Sequence, residues 1–222
     1  QGQVMANAGS VDKADAEEVL DMRGRAFDQG YTISRRVLIL DEGDAISTLE
    51  VPAGSLGLAT VCSITMDGIL MKKGIAVLTS FAGLAKIKEK QPIEFTDLIA
   101  YAGSSLDPVK AFMGRKVTSV ANAIRLGSGR VLANVREIPV AAAGHALELL
   151  EASRSAGFGG LIKVGGPAEP ILGCPVAAGK IGIAFYAGVN GTVAAEEMGA
   201  RMKTLPISML VDYSRMTDLD RP

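Results

Sequence analysis

Glycines recur in this chain at a fixed separation. Gly54, Gly57 and Gly74 are each echoed 125 positions later, by Gly179, Gly182 and Gly199, and the flanking residues read alike. Upstream, Gly2-Gln3-Val4-Met5-Ala6-Asn7 returns as Gly129-Arg130-Val131-Leu132-Ala133-Asn134 at a separation of 127, which also carries Ala16, Leu20 and Gly30 onto Ala143, Leu147 and Gly157. A duplicated chain is constrained to fold as two related units. The change from 127 to 125 places a net loss of two residues between the second and third strands of the later copy, where a loop absorbs it.

Within the first copy the periodicity gives a strand at 2–8, with Val4 and Ala6 on one face and Met5 and Asn7 on the other. Asp12 is read as the cap of a helix with Asp15, Glu17 and Glu18 in its early turns, where carboxylates suit the positive end of the dipole. Ala16, Val19, Leu20 and Phe27 form its expected buried stripe, and Gly30 its C-terminal stop. A strand follows at 36–40, closed by the turn Asp41-Glu42-Gly43-Asp44, then a third strand at 56–64 whose Gly57, Ala59, Val61 and Ser63 keep one face thin. A second helix, starting at Thr65 or Asp67 and stopped by Gly74, leads to a fourth strand at 75–87. The order βαββαβ is the split βαβ, or ferredoxin-like, pattern.

The second copy repeats that order, with strands at 161–164, 180–187 and 203–213 and its second helix at 192–198. Between the copies lie a polar turn at 88–91, an extra strand at 92–101, a helix begun by Asp107-Pro108, and another begun at Thr118 and ended by Gly127-Ser128-Gly129. The expected fold class is therefore α+β: two ferredoxin-like βαββαβ repeats (1–87 and 129–222) joined by a strand-plus-short-helix connector (88–128), together one domain. Each repeat covers one sheet face with helices. The other faces, or two sheet edges, are expected to bury against each other or against a second subunit.

The 222 residues suffice for a full core, and 48% hydrophobic against 21% charged residues argues against disorder. Twenty-three Lys and Arg against 24 Asp and Glu leave a net charge of -1 with no dense basic run, which lacks the footprint of a nucleic-acid surface. No apolar run approaches the ~18 residues of a membrane span, and the chain starts at Gln1, so it reads as a soluble piece of a longer protein. Cys62 and Cys174 fit neither a disulfide framework nor a zinc spacing, so a reducing cytoplasm is the default.

Candidate chemistry concentrates at the two strand-to-helix corners, where backbone N–H groups beside small residues make an anion site. The first corner holds Cys62, Ser63, Thr65, Asp67 and Gly68; the second holds Gly188, Asn190, Gly191 and Thr192. The competing reading is plain helix capping by Asp67 and Asn190. Thr79 and Ser80 either line a loop or are exposed strand polars. Arg136 and Glu137 either bind a carboxylate or pair with each other on the surface, the safer reading. Cys62 reads as an inert buried thiol, His145 as a plain helix residue, and the glycine-rich pieces at 157–160 and 165–167 as turns. No acid–base or nucleophilic constellation is complete, and no metal or cofactor is implied.

Gly57-Leu58-Ala59-Thr60-Val61-Cys62-Ser63-Ile64-Thr65, followed by Asp67-Gly68-Ile69-Leu70 and Gly74-Ile75, resembles the regulatory domain of NrpR, the archaeal nitrogen-gene transcriptional repressor. Phe81 with Gly83-Leu84, Ser105-Leu106-Asp107-Pro108, Arg136-Glu137-Ile138-Pro139 and Leu210-Val211-Asp212 continue the likeness over nearly the whole chain. The resemblance implies a cytoplasmic, homodimeric, non-enzymatic effector domain that binds 2-oxoglutarate and so releases a DNA-bound repressor, whose winged helix lies outside this chain. Its effector residues would be drawn from Cys62, Ser63, Thr65, Thr79, Ser80, Arg136, Gly188, Asn190 and Thr192. Two positions depart from the family pattern: Ser80 precedes Phe81 where the family has Arg, and Asn190-Gly191 replaces Asn-Pro. The alternatives are a non-sensing dimerisation scaffold and, further off, an enzyme acting on a small carboxylate.

Overall fold

The computed structural model describes residues 2–47 and 49–219. In chain order the first copy supplies β1 (Gln3–Asp12), α1 (Ala16–Asp28), β2 (Val37–Leu40), the small ribbon strands β3 (Ala45–Ile46) and β4 (Leu49–Glu50), β5 (Ser55–Val61), α2 (Ile64–Lys72) and β6 (Leu78–Lys88). The connector supplies β7 (Gln91–Ala100), α3 (Pro108–Gly114) and α4 (Val120–Leu126). The second copy supplies β8 (Gly129–Pro139), α5 (Ala143–Ser155), β9 (Leu161–Pro167), β10 (Lys180–Tyr186), α6 (Asn190–Glu197) and β11 (Met202–Asp212).

Many local signals act as read. Asp107 caps α3, whose first residue is Pro108, whereas Asp12 caps not α1 but the 3-10 turn before it, accepting from Ala14 N, and the cap position of α1 itself is Asp15. Gly30, Gly74 and Gly127 take the positive φ of a helix stop, at 77°, 83° and 71°. Boundaries move elsewhere. β1 runs four residues beyond 8, because both its faces are buried. The buried stripe of α1 is Ala16, Val19, Met22, Arg23 and Ala26, while Leu20 and Phe27 are only half-buried. α2 starts at Ile64, and Asp67, expected as a cap, lies inside it. α4 begins after Ser119, and Thr118 instead donates to Glu197 (2.6 Å), whose carboxylate also accepts from Val120 N and Ala121 N.

The strands form a four-stranded sheet in the order β11-β1-β5-β2 and a five-stranded sheet in the order β7-β6-β8-β10-β9. Each contains the ferredoxin-like order of fourth, first, third and second strand, but the fourth strand is exchanged: β6 of the first copy completes the sheet of the second, and β11 of the second completes the sheet of the first. The helices go with them, since α1 packs on α6 and α2 on α5. The expectation that residues 75–87 return to their own sheet is thus corrected, and the sheets cut across the repeat boundaries. The connector strand β7 joins the five-stranded sheet through a two-residue hairpin turn at Glu89 and Lys90, both at positive φ (52° and 63°).

The duplication survives in register. Ala6 pairs with Val61 as Ala133 pairs with Tyr186, and Gly9 pairs with Thr204 as Arg136 pairs with Thr79, at the same separations of 127 and 125. Sheet faces expected to be bare are filled by the chain itself. Ala6, Ala8, Ala59 and Val61 are buried in one cluster with Met66 and Leu70 of α2. Val135 and Ala184 pack under Ile171 and Cys174 of the loop between β9 and β10. Within these faces no second subunit is needed for burial.

Candidate ligand-binding cavity

The exchange brings the two strand-to-helix corners together. A β-carbon on Gly188 would lie 2.0 Å from Val61 O and 3.1 Å from Cys62 Cα, so only glycine lets the end of β10 approach the end of β5 this closely. A cavity of about 270 Å³ opens at that junction. Its wall is built from equivalent positions of the two copies: Asn7 and Asn134, Cys62 and Ala187, Ser63 and Gly188, Ile64 and Val189. The cavity therefore lies on the pseudo-twofold relation between the repeats.

Chemistry is concentrated on one side of that relation. Arg136, 1% exposed, donates from Nε to Asp67 Oδ1 (2.6 Å) and from Nη2 to Ser63 Oγ (2.9 Å), and lies over the Phe185 ring at 5.3 Å. Thr79 Oγ1 donates to Asp67 Oδ2 (3.0 Å). Arg136 Nη1 is buried with no hydrogen-bond partner among the described residues, an arrangement that costs stability unless something accepts from it. The positions equivalent to Arg136, Asp67 and Thr79 are Gly9, Thr192 and Thr204. Those three line a vestige of about 10 Å³ instead. Two halves of one scaffold have diverged, one charged and hollow, the other neutral and almost filled.

Tyr101, Asp107, Val109 and Met113, from the end of the connector strand and from α3, close the remaining wall. Burial pushes the Tyr101 hydroxyl up to about 12, reinforced by the Asp107 carboxylate and opposed by Arg136, so the group stays protonated. A larger groove of about 640 Å³ between α3, α4 and α6 has a different character. Its Glu197 carboxylate is already engaged in capping α4.

Of the residues singled out in the sequence, Cys62, Ser63, Thr79, Arg136 and Gly188 line the cavity. Thr65, Ser80, Asn190 and Thr192 do not. Thr65 Oγ1 accepts from Met5 N (3.1 Å) and donates to Met5 O (3.0 Å). Asn190 does the same to the equivalent residue, accepting from Leu132 N (3.2 Å) and donating to Leu132 O (2.9 Å), with a further bond to Tyr31 O. These two are clasps between each helix start and the first strand of its copy. Neither Asn190 nor Asp67 is a helix cap. Ser80 is the extra residue of a β-bulge between Thr79 and Phe81, and its hydroxyl turns to Leu78 O. Thr192 donates to Val189 O within α6. The surface pairing of Arg136 with Glu137 is also corrected: adjacent strand residues face opposite ways, and Glu137 is buried, accepting from Ala177 N.

Asn7, Ile64, Tyr101, Asp107, Val109, Met113, Asn134, Ala187 and Val189 were not singled out. A signal existed for the asparagines, which the separation of 127 superposes; none existed for Tyr101, because the connector has no echo.

Fold and cavity together define a double ferredoxin-like α+β module with exchanged halves and one charged cavity at the seam. The chain matches the family described as NrpR regulatory domains NRD1 and 2 over residues 1–218, and it belongs to that family. It is 41% identical over 219 residues to the global nitrogen regulator NrpRI of Methanosarcina mazei, spanning 99% of this chain and 67% of that protein. It is 29% identical over 220 residues to the global nitrogen regulator NrpR of Methanocaldococcus jannaschii, of which it spans 38%. The crystal structure of a nitrogen repressor-like protein from Methanococcus jannaschii has the same fold, with a TM-score of 0.82 at 24% identity over 99% of this chain and 89% of that one. No helix among the described residues is long and apolar enough to cross a membrane.

Proposed function

We propose that this chain is the effector-sensing regulatory and dimerisation domain of a cytoplasmic transcriptional repressor of nitrogen assimilation, and that 2-oxoglutarate bound in the cavity relieves repression. The observation that carries the reading is Arg136, a buried guanidinium in the cavity wall with one nitrogen unpartnered. Asp67, itself held by Thr79, anchors it, Ser63 accepts from its second nitrogen, and a carboxylate drawn to the cation would have to displace the packing over the third nitrogen to accept from it. The relatives are named as nitrogen regulators, which supports the biological context. Contact with DNA falls to a winged helix of the longer protein, in keeping with a net charge of -1.

A ligand in this cavity touches both copies at once. It acts by binding one arrangement of the homodimer more tightly than the other, since only a difference in affinity shifts such an equilibrium. One observation favours the alternative of a non-sensing scaffold: Arg136 is the only basic residue among those lining the cavity. A thermal-shift titration with 2-oxoglutarate, beside succinate and glutamate, separates the two. Ligand at 100 times its dissociation constant should add about 2.7 kcal/mol, with one ligand per chain because only one half carries the charged pair. A flat response at millimolar 2-oxoglutarate rejects the sensor, and sedimentation as a monomer at micromolar concentrations rejects the dimer.

A further inference from the structure

The polar chain that starts at Arg136 has only one direction in which its hydrogens can run. A guanidinium can only donate, so Ser63 Oγ accepts from Arg136 Nη2 (2.9 Å) and spends its own hydrogen on Asn134 Oδ1 (3.2 Å). This fixes the Asn134 amide, whose Nδ2 donates to Tyr101 Oη (2.9 Å). Tyr101 closes the chain as an acceptor, and its hydroxyl hydrogen has no acceptor among the described residues. Each bond polarises the next, so the arginine strengthens a neutral donor elsewhere in the cavity lining. Beside that donor lie Asp107, Val109 and Met113. A second carboxylate there would meet the like charge of Asp107, whereas an uncharged carbonyl oxygen would not.

We propose that Tyr101 is a specificity-determining residue: its hydroxyl donates to the 2-oxo oxygen of the bound acid and so separates a 2-oxo acid from the same skeleton carrying methylene at that carbon. The proposal rests on the effector reading given above. A methylene would leave the hydroxyl hydrogen unpaired, because Tyr101 Oη already accepts from Asn134 Nδ2 and has only its donor left to satisfy.

The test is isothermal titration of 2-oxoglutarate, glutarate and glutamate into the protein and its Tyr101→Phe variant, with the unliganded unfolding midpoint of each as a folding control. Phe keeps the ring and removes only the hydroxyl. The parent should prefer 2-oxoglutarate to glutarate, and Tyr101→Phe should lose about tenfold in 2-oxoglutarate affinity while glutarate stays within about twofold, erasing the preference. A variant that keeps the preference, or that loses both acids equally at an unchanged midpoint, overturns the role of Tyr101 and leaves the effector reading standing. A parent protein that binds none of the three acids overturns the effector reading, and this assignment falls with it.

Discussion

Arg136 and Asp67 set the electrostatics of the cavity, and both are legible in the sequence only as types, not as partners. They are 69 residues apart, on β8 and α2, and meet at 2.6 Å because α2 leads into β6, the neighbour of β8. Removing one member of a buried pair leaves the other charge uncompensated. Arg136→Ala should therefore destabilise the domain by about 3–5 kcal/mol, read as a lower midpoint in urea. The double change Arg136→Met with Asp67→Leu should recover most of that loss. A single variant as stable as the parent would show that water compensates Asp67. The sequence left Arg136 between binding a carboxylate and pairing with Glu137 on the surface; strand alternation excludes the pair, sending Arg136 into the cavity wall and Glu137 to the backbone of residue 177.

At the scale of elements, the two corners depend on Gly188. Gly188→Ala should push β10 away from β5, cost about 1–3 kcal/mol as overpacking and weaken ligand binding by moving Gly188 away from Ser63. Gly144→Ala is the matched control: it lies inside α5, its β-carbon would meet nothing within 4 Å, and it should stabilise by about 0.5–1 kcal/mol. Thermal unfolding of the two variants beside the parent tests the pair, and equal midpoints would mean that the corners yield without cost. The corners were visible in the sequence as glycine-punctuated strand-to-helix turns, but not which of their side chains face a ligand. Thr65 and Asn190 look like ligand-binding polars at a helix start; their bonds to Met5 and Leu132 show them as the same clasp used twice.

Across the whole molecule the exchange of α2–β6 for α6–β11 makes each sheet incomplete without the other copy. A chain divided at the turn between β6 and β7 gives fragments 1–89 and 90–222, each with an open sheet edge. Neither should show cooperative unfolding alone, and mixing them should restore it; circular dichroism and gel filtration would detect a self-sufficient 1–89 fragment, which would sink the expectation. The buried titrating groups predict an alkaline limit. Burial raises Tyr31 and Tyr186, takes Tyr101 to about 12 and takes Cys174 to about 11, against ordinary values of 10.0 and 9.0. Their neutral forms are favoured in the folded state, so the stability they contribute is complete below pH 9 and declines as pH rises above it. Denaturation at successive pH values, with tyrosinate absorbance as a second signal, should show ionisation of these tyrosines only as the protein unfolds. The repeated glycines at 54, 57 and 74 and at 179, 182 and 199 determined that one βαββαβ unit occurs twice, because periodicity, caps and turn residues act over a few neighbouring positions. Only the tertiary structure decided that the units trade their last helix and strand, that Arg136 meets Asp67, and that a connector tyrosine closes the cavity, because these depend on which sheet edge a strand joins, a choice made by contacts between residues far apart in the chain.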